Sequence, residues 1–204
     1  MAYTYLEMLT TPGVIAAQEE NDARDQWSRF PGNREFTAFD ENARAFLSQR
    51  DSFYMASNSA SGWPYLQHRG GPPGFLKVLD ESTLGFADYR GNGQYISLGN
   101  SKTDDRVALF LMDYPRRKRM KVMAHLSVHA PDDAEWAARI RDPDYPGVVE
   151  RLMVLKLAAY DWNCPQHIAQ RFTKAQVAEM IAPMHAELQE LRAENAALKE
   201  RSGG

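Results

Sequence analysis

The chain of 204 residues carries 24 Lys and Arg against 27 Asp and Glu, a formal net charge of -3 that supplies no global pull toward nucleic acid or an anionic membrane surface. Its single cysteine, Cys164, excludes an intramolecular disulfide framework, so the sequence predicts a fold held by its own core in a reducing, cytoplasmic setting. No basic start leads into an apolar run, and no later apolar stretch approaches the roughly 18 residues of a membrane helix, which predicts no membrane partner.

In chain order, residues 1–50 read as an arm with helices. Turn signals at Thr10-Thr11-Pro12-Gly13 and at residues 29–33 bracket a helix over 12–21 with Thr11 as its cap. Ala43, Phe46 and Leu47 stand at helical spacing behind Asp40, which predicts an amphipathic helix running to about residue 50. Residues 51–172 carry short apolar strand patterns at 52–58, 63–69, 75–79, 84–89, 107–112, 120–129 and 151–160, with one helical interruption near 132–140. Strands this closely spaced predict an α+β protein built on an antiparallel barrel, with Met120, Val122, Ala124, Leu126 and Val128 on the core face of one long strand.

Residues 173–204 change character. Thr173 and Gln176 form a capping box, and Ile181, Met184, Leu188, Leu191, Asn195 and Leu198 then step 3, 4, 3, 4, 3. With these at a and d, Glu187 and Glu194 fall at g and Arg192 and Lys199 at e, the arrangement of a parallel pair of helices. A single amphipathic helix packed on its own domain fits the same spacing. Pro183 predicts a break near the start, and residues 202–204 a disordered tail.

Chemistry concentrates between residues 57 and 100. Tyr65, Gln67 and Arg69 alternate with Leu66 and His68, so one strand carries different chemistry on its two faces, and Gly70-Gly71-Pro72-Pro73-Gly74 forces a side-chain-poor turn where backbone approaches a ligand closely. Further on, Arg90-Gly91-Asn92-Gly93-Gln94 brings a guanidinium, two glycines and two amides, suited to an anionic, planar ligand with a phosphate tail. A polar barrel rim in contact with water is the plainer reading of the same residues. A Rossmann site is excluded: Gly91-Asn92-Gly93 lacks the third glycine and no apolar helix follows it. Cys164 and His167 supply only two ligands in one short segment, so no metal site is expected, and their spacing alone does not build a nucleophile and its base. The basic run Tyr114-Pro115-Arg116-Arg117-Lys118-Arg119 reads as a solvated hairpin turn rather than a nucleic-acid surface.

Residues 57–100, taken with Asp161-Trp162-Asn163-Cys164-Pro165-Gln166-His167-Ile168, resemble the pyridoxamine 5′-phosphate oxidase-related flavoproteins of the FMN-binding split-barrel fold, over roughly residues 50–172. The resemblance implies FMN as cofactor, held by Gln67, His68, Arg69, Asp88, Tyr89, Arg90, Gly91, Asn92, Gln94 and Ser97. It implies that Arg119 or Lys121 faces the flavin, according to strand register. It also implies a homodimer in which Trp162, Asn163, Gln166 and His167, with Cys164 among them, cross the two-fold interface and close the partner's flavin pocket. The implied function is FMN-dependent oxidation or reduction of a small-molecule substrate with no protein nucleophile. The rival is a non-catalytic flavin-binding or assembly protein that works through its C-terminal coiled coil.

Overall fold

The computed structural model describes residues 4–29, 34–162 and 165–202, in two compact units, Met1–Asp113 with Lys118–Pro165 and Tyr114–Arg117 with Gln166–Gly204. In the first unit, helices α1 (Thr4–Leu9), α2 (Pro12–Glu20), α3 (Arg24–Ser28) and α4 (Glu41–Leu47) precede strands β1 (Ser52–Asn58), β2 (Pro64–Gly70), β3 (Lys77–Val78) and β4 (Thr83–Tyr89). Helix α5 (Ile96–Ser101), strands β5 (Arg106–Asp113) and β6 (Lys118–His129), helix α6 (Ala137–Ile140) and strand β7 (Val149–Trp162) complete it. Among the described residues no helix is long and apolar enough to cross a membrane.

All neighbouring strands run antiparallel, in the order β2-β1-β5-β6-β7-β4-β3. The sheet is rolled into the split barrel: the Phe53 ring of β1 meets the Phe86 ring of β4 edge-on at 5.3 Å, although three strands separate them in the sheet. Alternation of side chains sends Met120, Val122, Ala124 and Leu126 of β6 inward, where they pack with Leu109 and Leu111 of β5 and Met153 and Leu155 of β7. Removing this apolar surface from water is the main favourable contribution to the fold.

Two caps expected from the sequence are made. The Thr11 hydroxyl accepts the Val14 N–H, and the Asp40 carboxylate accepts the Ala43 N–H at 2.7 Å, starting α4 so that Ala43, Phe46 and Leu47 are buried. Just past α4, Arg50 donates from Nε to the Phe46 carbonyl at 3.1 Å and from Nη1 to the Met112 carbonyl at 2.6 Å, and it pairs with Asp113 at 3.2 Å. Both charged side chains are buried, so this group ties the end of α4 to the end of β5.

The glycine-proline turn serves the chain itself. Gly74 adopts φ +79°, its N–H donates to the Arg50 carbonyl, and a Cβ placed there would stand 2.8 Å from the Ser48 carbonyl oxygen. The close approach is backbone to backbone, not backbone to ligand. Gly74→Ala therefore meets both a disfavoured conformation and a rigid obstacle, and is expected to cost about 1–3 kcal/mol in urea denaturation. A stability equal to that of the parent would contradict this packing.

Several elements differ from expectation. Helix α5 is a second helical interruption: its six residues Ile-Ser-Leu-Gly-Asn-Ser have low helix propensity, and Tyr95 enters it at φ 51° without a side-chain cap. The helix expected near 132–140 is confined to α6, and the third strand is only β3, because Phe75 and Leu76 leave the ladder to enter the core. The short helices α1 and α3 carried too few periodic residues to be read.

In the second unit, α7 (Lys174–Ser202) spans 29 residues without a buried side chain. The capping box is made in both directions: the Thr173 N–H donates to the Gln176 side chain at 2.9 Å and the Gln176 N–H to the Thr173 hydroxyl at 3.2 Å. The helix continues through Pro183, against the break expected there, and includes Ser202 of the tail expected to be disordered; Gly203 and Gly204 lie outside the described residues. Proline removes one N–H and crowds one carbonyl, a local defect that the helix-forming residues on either side carry across.

Candidate functional site

Period-two alternation decides which part of β2 builds a site. Tyr65, Gln67 and Arg69 are half-buried on one face, whereas Leu66 and His68 are exposed on the other. In the antiparallel register of β4 and β7, Asp88 stands opposite Arg151, and the rolled sheet brings Arg69 to the same carboxylate. Arg69 Nη1 bonds Asp88 Oδ1, and Arg151 Nη1 donates to Asp88 Oδ2 at 2.9 Å. Arg151 Nη2 then donates to Glu150 at 2.6 Å, and the other Glu150 oxygen accepts from Arg90 Nε and from the Tyr95 hydroxyl, each at 3.2 Å. The Arg151 guanidinium lies over the Tyr95 ring at 4.7 Å.

Three guanidiniums thus alternate with two carboxylates, leaving one positive charge in excess. Burial lowers the Arg69 pKa, opposed by the Asp88 carboxylate, and burial raises the Asp88 pKa, opposed by Arg69 and Arg151. Both shifts express the cost of taking charge out of water, which the charge-assisted bonds between the groups oppose. One buried donor of this group is left over: among the described residues the Arg69 Nε–H meets no acceptor. A buried guanidinium N–H without a partner is costly and is a feature that calls for an explanation.

The adjoining cavity, of about 50 Å³, is lined by Gln67, Arg69, Tyr89, Gly91, Asn92 and Gly93, among others. That is room for a few waters or one small anion. The Ser97 hydroxyl donates to the Gln67 side-chain oxygen at 3.2 Å and fixes its amide, and the Asn92 side-chain oxygen accepts the Gln94 N–H at 3.2 Å, closing the glycine loop. Gln94 itself does not line the cavity, and the Arg90 side chain is 67% exposed, joined to the site through Glu150.

Within the first unit, the structure does not bring His68, Arg119 or Lys121 here. His68 is on the opposite face of β2, its ring edge-on to Tyr54 at 5.6 Å. Arg119 pairs with Met112 in register, on the face of β6 that points away from the core, with a buried, unpartnered Nε of its own. Lys121 shares that face and is engaged by Asp161 at 3.4 Å and by the Tyr5 ring at 4.6 Å. Trp162 packs edge-on against Phe46 of its own chain at 5.0 Å. Asn163 and Cys164 lie outside the described residues, and Gln166 and His167 are exposed in the second unit.

Burial, with Asp161 adding to it, pushes the Tyr5 phenol up to about 12. A phenol kept neutral by the fold contributes its stability in full below the ordinary value near 10 and loses it as the pH rises through about 12, so α1 is expected to loosen in that window. Tyrosinate absorbance against pH checks this, and tyrosines that all ionise together near the ordinary value would contradict it.

Sequence reasoning missed Glu150, Arg151, Tyr95 and Leu98. The only available signal was a charged pair, Glu150-Arg151, at the head of the long apolar stretch that forms β7. Nothing in that stretch says that its first residues face Asp88 across 63 positions of sequence.

A family described as pyridoxamine 5′-phosphate oxidase matches residues 39–159, more than half of the chain. No curated protein matches the chain significantly. Similar solved structures include a candidate pyridoxamine 5′-phosphate oxidase of Lactobacillus delbrueckii, 24% identical over 61% of this chain and 94% of that one, with a TM-score of 0.46. HupZ of Group A Streptococcus is 13% identical over 66% of this chain and 100% of that one, with a TM-score of 0.46. HutZ, the heme storage protein of Vibrio cholerae, is 13% identical over 61% and 91%, with a TM-score of 0.41.

Proposed function

The chain belongs to the pyridoxamine 5′-phosphate oxidase family, and from that premise we propose that it is an FMN-binding oxidoreductase acting on a small-molecule substrate. The observation that carries the reading is the buried Arg69 Nε–H, which meets no acceptor among the described residues, in a side chain that lines a cavity of about 50 Å³ with Arg151, Asp88, Glu150 and a glycine loop on its wall. Arg69 takes a phosphate oxygen on Nε while Asp88 holds its guanidinium in place. The backbone at Gly91 and Gly93 lets the anion approach closely, and Asn92 and the fixed amide of Gln67 orient the remainder of the ligand. FMN, when bound, supplies the redox chemistry; the chain supplies position and electrostatics.

A cavity of this size leaves a planar ring outside it, in need of a second surface. Tyr54 at 40% and Leu66 at 62% exposure lie on the outward face of β1 and β2, with Trp63 at 77% exposure at its end. Exposed aromatic and aliphatic surface, here on the face opposite Gln67 and Arg69, favours a second copy, and the ring left outside the cavity needs one to cover it, so the proposal includes a homodimer with the flavin between subunits. Truncation after Phe172 is expected to leave a dimer that still binds FMN, because the shared pocket couples binding to association. Sedimentation showing a monomer that retains flavin would contradict the shared site.

The oxidoreductase reading is tested by following the flavin absorbance of the loaded protein under NAD(P)H, alone and with a flavin reductase, and on readmission of oxygen. Bleaching and recovery support it. Flavin that binds yet is never reduced by either route contradicts it and leaves a flavin carrier.

A further inference from the structure

We propose that α7 pairs in parallel with α7 of a second copy of this chain as a two-stranded coiled coil. The helix is continuous for 29 residues, through Pro183, and buries none of its side chains. Its seam of Ile181, Met184, Leu188, Leu191, Asn195 and Leu198 is therefore open to solvent, with Met184 67%, Leu191 55% and Leu198 54% exposed. Val177, 43% exposed, extends the same 3-4 spacing toward the capped N-terminus. Pro183 falls at c, outside the seam, so its ring does not enter the contact.

Charge decides the occupant and its direction. With Ile181, Leu188 and Asn195 at a, a parallel pair in register sets Glu187 beside Arg192 of the partner subunit and Glu194 beside Lys199 of the partner subunit. An antiparallel pair sets g against g and e against e, which puts Glu187 against Glu194 and Arg192 against Lys199, like charge against like. Asn195 at an a position meets its own copy only in the parallel, in-register arrangement, where a pair of amides specifies two strands at a cost in stability. This pairing is independent of flavin, since no residue of α7 belongs to the site described above.

The test uses the full chain with Cys164→Ser, so that each introduced cysteine is unique. Leu198→Cys places a thiol at d, facing its own copy, and Glu200→Cys places one at f, facing away. Thiols across the seam sit at an effective concentration in the millimolar range, so Leu198→Cys is expected to form a disulfide-linked dimer at least about tenfold faster than Glu200→Cys under mild oxidation. Adding Arg192→Glu and Lys199→Glu is expected to slow that crosslink, and adding Glu187→Lys and Glu194→Lys as well to restore it. Equal rates at the two positions, no crosslink at Leu198→Cys, or indifference to the charge exchange each overturn the proposal.

Discussion

Arg69→Ala is expected to weaken FMN binding by roughly ten- to a hundred-fold, the equivalent of about 1.5–3 kcal/mol for the loss of a charge-assisted partner to a buried anion. Arg69 is the guanidinium that both lines the cavity and keeps a buried N–H unsatisfied. Arg90→Ala is expected to have a smaller effect, since that side chain is 67% exposed and turned to Glu150. Removing Arg69 also leaves Asp88 with Arg151 alone, so the affinity must be read beside a thermal melt. Arg69→Lys keeps the charge but not the two-sided geometry, and should recover fold stability better than it recovers affinity. Fluorescence titration of the flavin-free protein measures all three, and an unchanged affinity in Arg69→Ala would place the phosphate elsewhere.

Arg50→Ala is expected to cost about 3–5 kcal/mol, because it breaks a buried ion pair with Asp113 by removing one partner and takes a charged donor from the Phe46 and Met112 carbonyls at the junction of α4 and β5. Against a total of about 5–15 kcal/mol this is enough to populate the unfolded chain near physiological temperature. Replacing the pair together, as Arg50→Met with Asp113→Leu, is expected to cost much less, since the buried pair is then removed whole. Urea denaturation of the single and double variants distinguishes a specific ion-pair loss from simple intolerance at the site; a change below about 1 kcal/mol in Arg50→Ala would contradict the burial described.

The barrel was legible because its strands alternate. The bounds of β1 were read to the residue, and the core face of β6 from Met120 to Leu126 followed from period two alone. Helix α4 was legible through the spacing of Ala43, Phe46 and Leu47 behind the Asp40 cap, whereas α5 was not, since tertiary contacts such as the buried Asn100 amide donating to Ser57 hold a segment of poor helix formers. The same alternation already separated His68 from Gln67 and Arg69. Grouping all three by sequence adjacency gave weight to a run of polar residues over the pleat. The glycine turn was recognised, but its partner, the Ser48 carbonyl, is a tertiary neighbour that no local pattern announces. Arg151 and Glu150 were illegible for the same reason: they reach Asp88, Arg90 and Tyr95 only through the pairing of β4 with β7.

The most direct measurement is a titration of the purified, flavin-free chain with FMN, followed by fluorescence and by the visible spectrum, with inorganic phosphate as competitor. The arrangement of Arg69, Gln67 and the loop at Gly91-Asn92-Gly93 predicts a yellow protein that takes up FMN to saturation at one equivalent per chain, with affinity that falls as phosphate is added. A colourless protein that leaves FMN fluorescence unchanged, or one that binds riboflavin and FMN alike with no effect of phosphate, would contradict it.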